Sequence, residues 1–320
     1  MSNSKEERRV GVEIEFSGLG FAAAADLLEN ELGARREALS DHEILLHTDA
    51  QEDPYRLEVD FELLKSMSRE SGEDQGALAE LAVDVLGLAS SMVAPLEWIT
   101  PPLPVASLPD LVPIIDALAA AGAVGSQGSW AYAFGAQFNP DVVRTEPGDL
   151  LAHLRAFCCL HDWLRARDDM DLARRLTTFA KPYPKAYEQL IADPDYDSSG
   201  GRLIDDYLAH MPTRNCALDM LPLFLHLDED RVRDVVEDER VKPRPTFHYR
   251  LPNSRLGADD WSLLDPWNDW LVVEALAGRA SDLRDLLDAR GEYLDQARLP
   301  GSKQAWVEQC ETWLSDRGLA

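Results

Sequence analysis

The sequence predicts an α+β fold in which one sheet is built from both ends of the chain. Three observations carry that expectation. Short segments of the first half alternate apolar and polar residues at the period of a strand, with helical stretches between them. From about 148 to 240 the pattern is helical and shows no strand alternation. Alternation then returns at Thr246–Leu251. A chain of 320 residues can bury roughly 75% of the surface its unfolded form exposes. The expectation is a single domain over 1–320, with 148–240 as a helical insertion and 261–320 as C-terminal helices.

Taken in order, Val10–Phe16 reads as a strand. Val10, Val12, Ile14 and Phe16 point one way, and Gly11, Glu13 and Glu15 the other. After Ser17–Gly20, residues 21–38 read as a helix, with Phe21, Ala24, Leu28 and Leu32 at helical spacing. Ile44–Thr48 is a candidate strand. Tyr55–Leu63 is a stronger one, because Leu57, Val59, Phe61 and Leu63 alternate with Arg56, Glu58, Asp60 and Glu62. A helix is expected over 74–90. Leu96–Thr100 is a short strand that stops at Pro101–Pro102. Residues 107–121 read as a helix and Trp130–Asn139 as a strand. Trp130, Tyr132, Phe134 and Phe138 form one face of that strand; Gln137 and Asn139 belong to the other. Asp149 is a candidate N-cap for a helix over 150–166. A Pro/Asp/Ser/Gly loop, Asp193–Gly201, splits the helical region. In the last strand Thr246, His248 and Arg250 oppose Phe247, Tyr249 and Leu251. A Trp-rich helix over 266–277 and a charged helical pair finish the chain.

With 58 acidic and 31 basic residues the net charge is −27. Such a chain repels phosphate backbones and anionic bilayers, so nucleic acid and membrane are not expected partners. Lys occurs only at Lys5, Lys65, Lys181, Lys185, Lys242 and Lys303, which fits a salty cytoplasm or a bias in genomic composition equally well. Cys158, Cys159, Cys216 and Cys310 form no C-x-x-C pair, and they read as buried small hydrophobes. The first residues, MSNSKEERRV, lack the apolar stretch of a signal peptide, and no apolar run is long enough to span a bilayer. A soluble, reduced, cytoplasmic protein is therefore expected.

Glu13 and Glu15 carry the sharpest chemical signal. Two positions apart on one strand, they emerge on the same side with Cα atoms about 6.6 Å apart. Two carboxylates at that spacing suit a hard cation such as Mg²⁺. A solvated strand face would give the same pair. Glu58 and Asp60 share a strand face in the same way. Lys181 and Arg255 are candidate phosphate contacts, against plainer readings as a surface Lys and a structural ion-pair partner. No Walker motif, Rossmann fingerprint or nucleophile elbow is present.

The order Gly11-Val-Glu-Ile-Glu-Phe16, then Leu57-Glu-Val-Asp60, then Leu96-Glu-Trp-Ile-Thr-Pro-Pro-Leu103 resembles the amidoligases of the glutamine synthetase / glutamate–cysteine ligase superfamily of carboxylate–amine ligases. Thr213-Arg-Asn-Cys-Ala-Leu-Asp219 is similar to the family's Arg-x-x-x-Leu-Asn segment. Phe247-His-Tyr-Arg-Leu-Pro-Asn-Ser254 sits where the family has Glu-Phe-Arg and a polar turn.

The resemblance implies a curved antiparallel sheet with a polar concave active-site face and helices packed on the convex face. It also implies ATP, Mg²⁺ (or Mn²⁺), and a ligase that joins a small-molecule or peptide carboxylate to an amine through an acyl-phosphate. Carried over residue by residue, it makes Glu13, Glu15 and Glu97 metal ligands. Arg250 and Arg214 become phosphate- or substrate-binding groups with catalytic roles, and Arg250 a nucleotide contact; Arg255 and Lys181, candidate phosphate contacts on their own reading, are added to it as nucleotide-binding residues. His248 stands at a position of a metal-binding Glu and suits Mn²⁺ better than Mg²⁺. Gln137 and Asn139 stand where a His is common and offer the cleft carbonyl oxygens without charge. Position 219 is Asp where the family has Asn. These departures leave two rivals on the same fold: a non-catalytic nucleotide- or peptide-binding protein, and a phosphotransferase.

Overall fold

The computed structural model describes residues 8–61, 94–126, 134–168, 181–196, 198–199, 201–296 and 301–320. Among them are nine strands and ten α-helices, and the strand pairings are antiparallel. The expected helix over 74–90 and the Trp130–Tyr132 end of the fourth expected strand lie outside the described residues. By contacts the chain divides into two compact units: Met1–Asn139 with Asn253–Leu264, and Pro140–Pro252 with Asp265–Ala320.

Unit 1 is a sheet with helices against it. Its strands are β1 (Arg9–Phe16), β2 (Arg35–Ser40), β3 (Glu43–His47), β4 (Tyr55–Val59), β5 (Leu96–Ile99), β6 (Leu103–Pro104) and β7 (Ala136–Pro140). They run in the order β2-β3-β4-β5-β1-β7, with β6 paired to the start of β1. The alternation of β1 is realised as expected: Val10, Val12, Ile14 and Phe16 are fully buried, while Glu13 and Glu15 keep partial exposure. Leu57 and Trp98 extend the same buried face onto β4 and β5.

Helix α1 (Phe21–Leu32) contacts β4 and α2 (Val112–Ala120). The sequence pattern extends α1 to residue 38, but it stops at Gly33. That residue takes φ 58°, and its amide bonds back to Asn30, a left-handed C-terminal stop open to glycine. Residues 35–40 then pair with β3 as an edge strand. The helix expected over 107–121 is a 3₁₀ turn over Val105–Leu111, which contains Pro109, followed by α2, whose first turn takes Pro113 without losing a bond.

Gly125 lies against the chain at Ser254–Leu256, donating to Leu256 O at 2.8 Å while Ser126 donates to Ser254 O at 2.8 Å. A Cβ there would stand 2.1 Å from Ser254 O and 2.6 Å from Leu256 N. The obstacle is backbone, which cannot swing aside as a side chain would. Gly125→Ala is expected to cost about 1–3 kcal/mol, read as a lower urea midpoint. An unchanged midpoint would show that these segments separate freely.

Unit 2 is mainly helical. Its helices are α3 (Pro147–Arg167), α4 (Lys185–Ala192), α5 (Arg202–His210), α6 (Leu221–Leu227), α7 (Glu229–Arg233), α8 (Leu264–Ala277), α9 (Ala280–Gln296) and α10 (Ser302–Asp316). Helix α3 packs against α4, α9 and α10. It starts at Pro147 with Glu146 at the N-cap, so Asp149 sits in the first turn instead of capping; proline fits a first helical position because its missing N–H has no partner there anyway. The strand expected over 246–251 shortens to β9 (His248–Tyr249). Its partner is a two-residue strand, β8 (Leu218–Asp219), inside the stretch that shows no alternation. Thr246 and His248 are buried, as are Phe247, Tyr249 and Leu251, so both faces of this segment are covered.

Candidate functional site

The polar face of unit 1 gathers the carboxylates. Glu15 pairs across to Glu97, Glu97 to Glu58, and Glu58 to Glu43. Directly opposed residues share a face, with Cβ atoms about 4.5–5.5 Å apart, so four glutamates line one row across β1, β5, β4 and β3. Glu13 lies one pleat along, and Asp60 follows β4, its amide bonded to Pro95 O at 2.9 Å.

Arg56 ties Glu43 and Glu58 at 3.0 and 3.5 Å. Burial pushes the Glu97 carboxyl well above the ordinary carboxylate range, and the charges of Glu13, Asp60, Glu15 and Glu58 add to it. Glu58 is raised too, by burial first, with Arg56 pulling against it. Like charges this close repel one another, and a cation relieves that repulsion.

The β7 side of the row is neutral. Asn139 Nδ2 and Gln137 Nε2 donate to Glu13 Oε1 at 2.7 and 3.1 Å, and Gln137 Nε2 also donates to Asn139 Oδ1 at 2.7 Å. The Gly135 amide donates to Glu15 Oε2 at 2.6 Å. The two amides therefore present N–H groups to Glu13, where the sequence reading has them offering carbonyl oxygens to a cleft.

Unit 2 holds Arg214 and Arg250. Arg250 follows β9, and its amide donates to Ala217 O at 2.9 Å. Its Nε stands 3.7 Å from the fully buried Asp219 carboxylate, whose other oxygen accepts the Leu221 amide at 2.9 Å. Burial, then the like charge of Arg250, lowers Arg214. His248 is buried and driven well below its ordinary value, first by burial and then by Arg250, Arg244 and Arg214. A neutral imidazole among three guanidiniums is a poor seat for a further cation. Lys181 is exposed, its backbone paired to Asn215 and Ala217. Arg255, in unit 1, holds Asp260 at 2.8 and 3.0 Å. Among the described residues, no three His, Cys, Asp or Glu side chains are gathered closely enough to hold a metal ion by themselves.

Residues 6–272 match the family model described as "Putative amidoligase enzyme". The chain belongs to this family. Its description is that of an amide-forming ligase, whose substrates are a carboxylate and an amine. Both the carboxylate row and the Arg214–Arg250 pair of this amidoligase-family chain fall inside the match, whereas α9 and α10 lie beyond it. No curated protein and no solved structure matches the chain. No helix among the described residues is long and apolar enough to cross a membrane.

Sequence reasoning passes over Glu43 and Arg56 as members of these clusters, and meets Asp219 only as a departure from the resemblance. The alternation of β3 and β4 places the first two on the polar face, but only register puts them beside Glu58. Asp219 stands in a segment with no strand signal. Burial raises its pKa to about 6 against the pull of Arg250. A carboxyl raised on folding stabilises through its proton, so this contribution is present below about pH 4 and lost as pH rises through about 6. Asp219→Asn is expected to flatten urea stability between pH 4 and 6. An unchanged slope would assign the titration elsewhere.

Proposed function

We propose that the protein is an ATP- and divalent-metal-dependent ligase of the glutamine synthetase / glutamate–cysteine ligase type, its site on the concave polar face of a curved sheet. The observation that supports this reading best is the cross-strand register that lines up Glu15, Glu97 and Glu58 with Glu13 one pleat away, in a chain of the amidoligase family. The donor set is all carboxylate oxygen, which suits Mg²⁺. That ion is commonly held by one or two carboxylates with waters and substrate phosphates instead of an all-protein cage. One or two of Glu13, Glu15 and Glu97 would hold it, with waters and substrate phosphates as the other ligands. When bound, Mg²⁺ supplies charge neutralisation for the phosphates. His248, neutral among arginines, is left out of that set.

In the proposed reaction a substrate carboxylate oxygen attacks the γ-phosphorus of ATP, forming an acyl-phosphate and releasing ADP. An amine then attacks the acyl carbon, loses its proton, and displaces phosphate to leave an amide. Arg250 and Arg214 are proposed as anion-binding groups, whose planar forks suit phosphoryl or carboxylate oxygens. Arg255 is engaged by Asp260 and Lys181 is exposed, so neither is assigned to the nucleotide.

Calorimetry with ATP tests the reading. An acid row in a chain of net charge −27 repels free ATP, so binding is expected with Mg²⁺ or Mn²⁺ and at least ten-fold weaker in EDTA. Equal affinity in both would overturn the metal role. Phosphate release that rises only when an amine is added separates a ligase from a phosphotransferase, and no nucleotide turnover with any carboxylate and amine would favour a binding protein.

A further inference from the structure

We infer that Gln137 and Asn139 are positioning residues which orient the Glu13 carboxylate for a divalent cation without cancelling its charge. This inference rests on the metal reading above and goes beyond it, because it assigns a role to the two residues that depart from the family's pattern.

The geometry is a closed ring of three side chains. Both amide nitrogens converge on Glu13 Oε1, and the remaining Gln137 hydrogen goes to Asn139 Oδ1. An ionised carboxylate is acceptor-only, so the ring fixes the sense of both amides: nitrogen faces Glu13 in each. Gln137 and Asn139 are 7% and 6% exposed, which confines them to this arrangement. Gly11 lies beside Asn139: a Cβ there would stand at ordinary van der Waals distance, 3.6 Å from Asn139 Cβ and 3.7 Å from its Nδ2. The Gly135 amide treats Glu15 in the same way.

The donors that β7 presents in these bonds are neutral. A Lys, Arg or protonated His in their place would orient Glu13 but neutralise it and compete with a cation. Amide N–H groups fix the direction of a carboxylate and leave it a full negative charge, which is what a metal-ligating carboxylate requires of the groups behind it.

The test is Mn²⁺ binding to the whole chain, followed by the loss of free-ion signal in electron paramagnetic resonance, with the melting temperature measured on the same samples. Asn139→Leu keeps the shape and removes the donor. It is expected to weaken Mn²⁺ binding 10–100-fold with the melting temperature nearly unchanged. Gln137→Met removes the longer of the two bonds, and a smaller weakening is expected. It also carries the test alone if Asn139→Leu folds poorly. Wild-type affinity in a folded Gln137→Met and Asn139→Leu pair would overturn the positioning role while leaving the metal reading intact. Failure of the wild-type protein to bind Mn²⁺ at millimolar concentration would overturn both.

Discussion

Arg290→Met is expected to destabilise the protein by about 3–5 kcal/mol, the range for removing one partner from a buried ion cluster. Arg290 on α9 is 4% exposed. It donates to Asp162 of α3 and to Glu188 of α4, each at 2.9 Å. Its guanidinium lies 4.8 Å from the Tyr293 ring and 5.4 Å from that of Trp306 on α10, so one side chain ties four helices.

The two acids respond differently to their site. For Glu188, burial outweighs Arg290 and the carboxyl sits above its ordinary value. For Asp162, burial also raises, but His161 and Arg290 together hold the group below its ordinary value. Removing the guanidinium leaves both carboxylates buried with that support gone. The cost then comes from stranded charge more than from lost attraction, and this has a checkable consequence. Replacing all three residues by apolar ones of similar volume should restore most of the stability. Urea midpoints for the single and triple variants measure it, and a single-variant loss under about 1 kcal/mol would show the cluster to be solvated.

That cluster also shows where sequence reading ends. The β1 pattern is local, and a two-residue period is enough to pair Glu13 with Glu15 and to bury Val12 and Ile14 beneath them. The stop at Pro101–Pro102 and the Trp-rich helix are local too. The carboxylate row depends on register between strands far apart in sequence, and Glu43 joins it only through the β3–β4 pairing that sets it opposite Glu58. Arg290 meets partners separated from it by 102 and 128 positions, each an unremarkable charge on a helix when read alone. β8 is two residues long, below the length at which alternation can be recognised. Donor and acceptor roles escape composition as well: Gln137 and Asn139 carry both, and only the position of Glu13 decides that they donate.

Arg250→Lys is expected to lower amine-dependent phosphate release by roughly 10² or more, the scale of about 3 kcal/mol of transition-state stabilisation, while the urea midpoint stays close to wild type. The Arg250 side chain keeps 20% exposure, and its 3.7 Å approach to Asp219 is long for an ion pair. A Lys there preserves the charge opposite Asp219 and so preserves most of what that pair gives the fold. It loses the planar fork, which can hold two oxygens of a phosphoryl group at once where an ammonium acts as a point charge. Arg214 presses a second positive charge toward the same place, against burial that opposes it. Asp219 approaches Arg250 at 3.7 Å, and Asp219 and Asp238 both pull on Arg214 against the like charges of Arg250 and Arg240. If Arg250 serves only to satisfy Asp219, the same substitution should move the urea midpoint and leave turnover per folded molecule intact. Both quantities are read from one preparation, with turnover measured on the carboxylate and amine that wild type uses best. Retained turnover with a lowered midpoint would remove Arg250 from the chemistry.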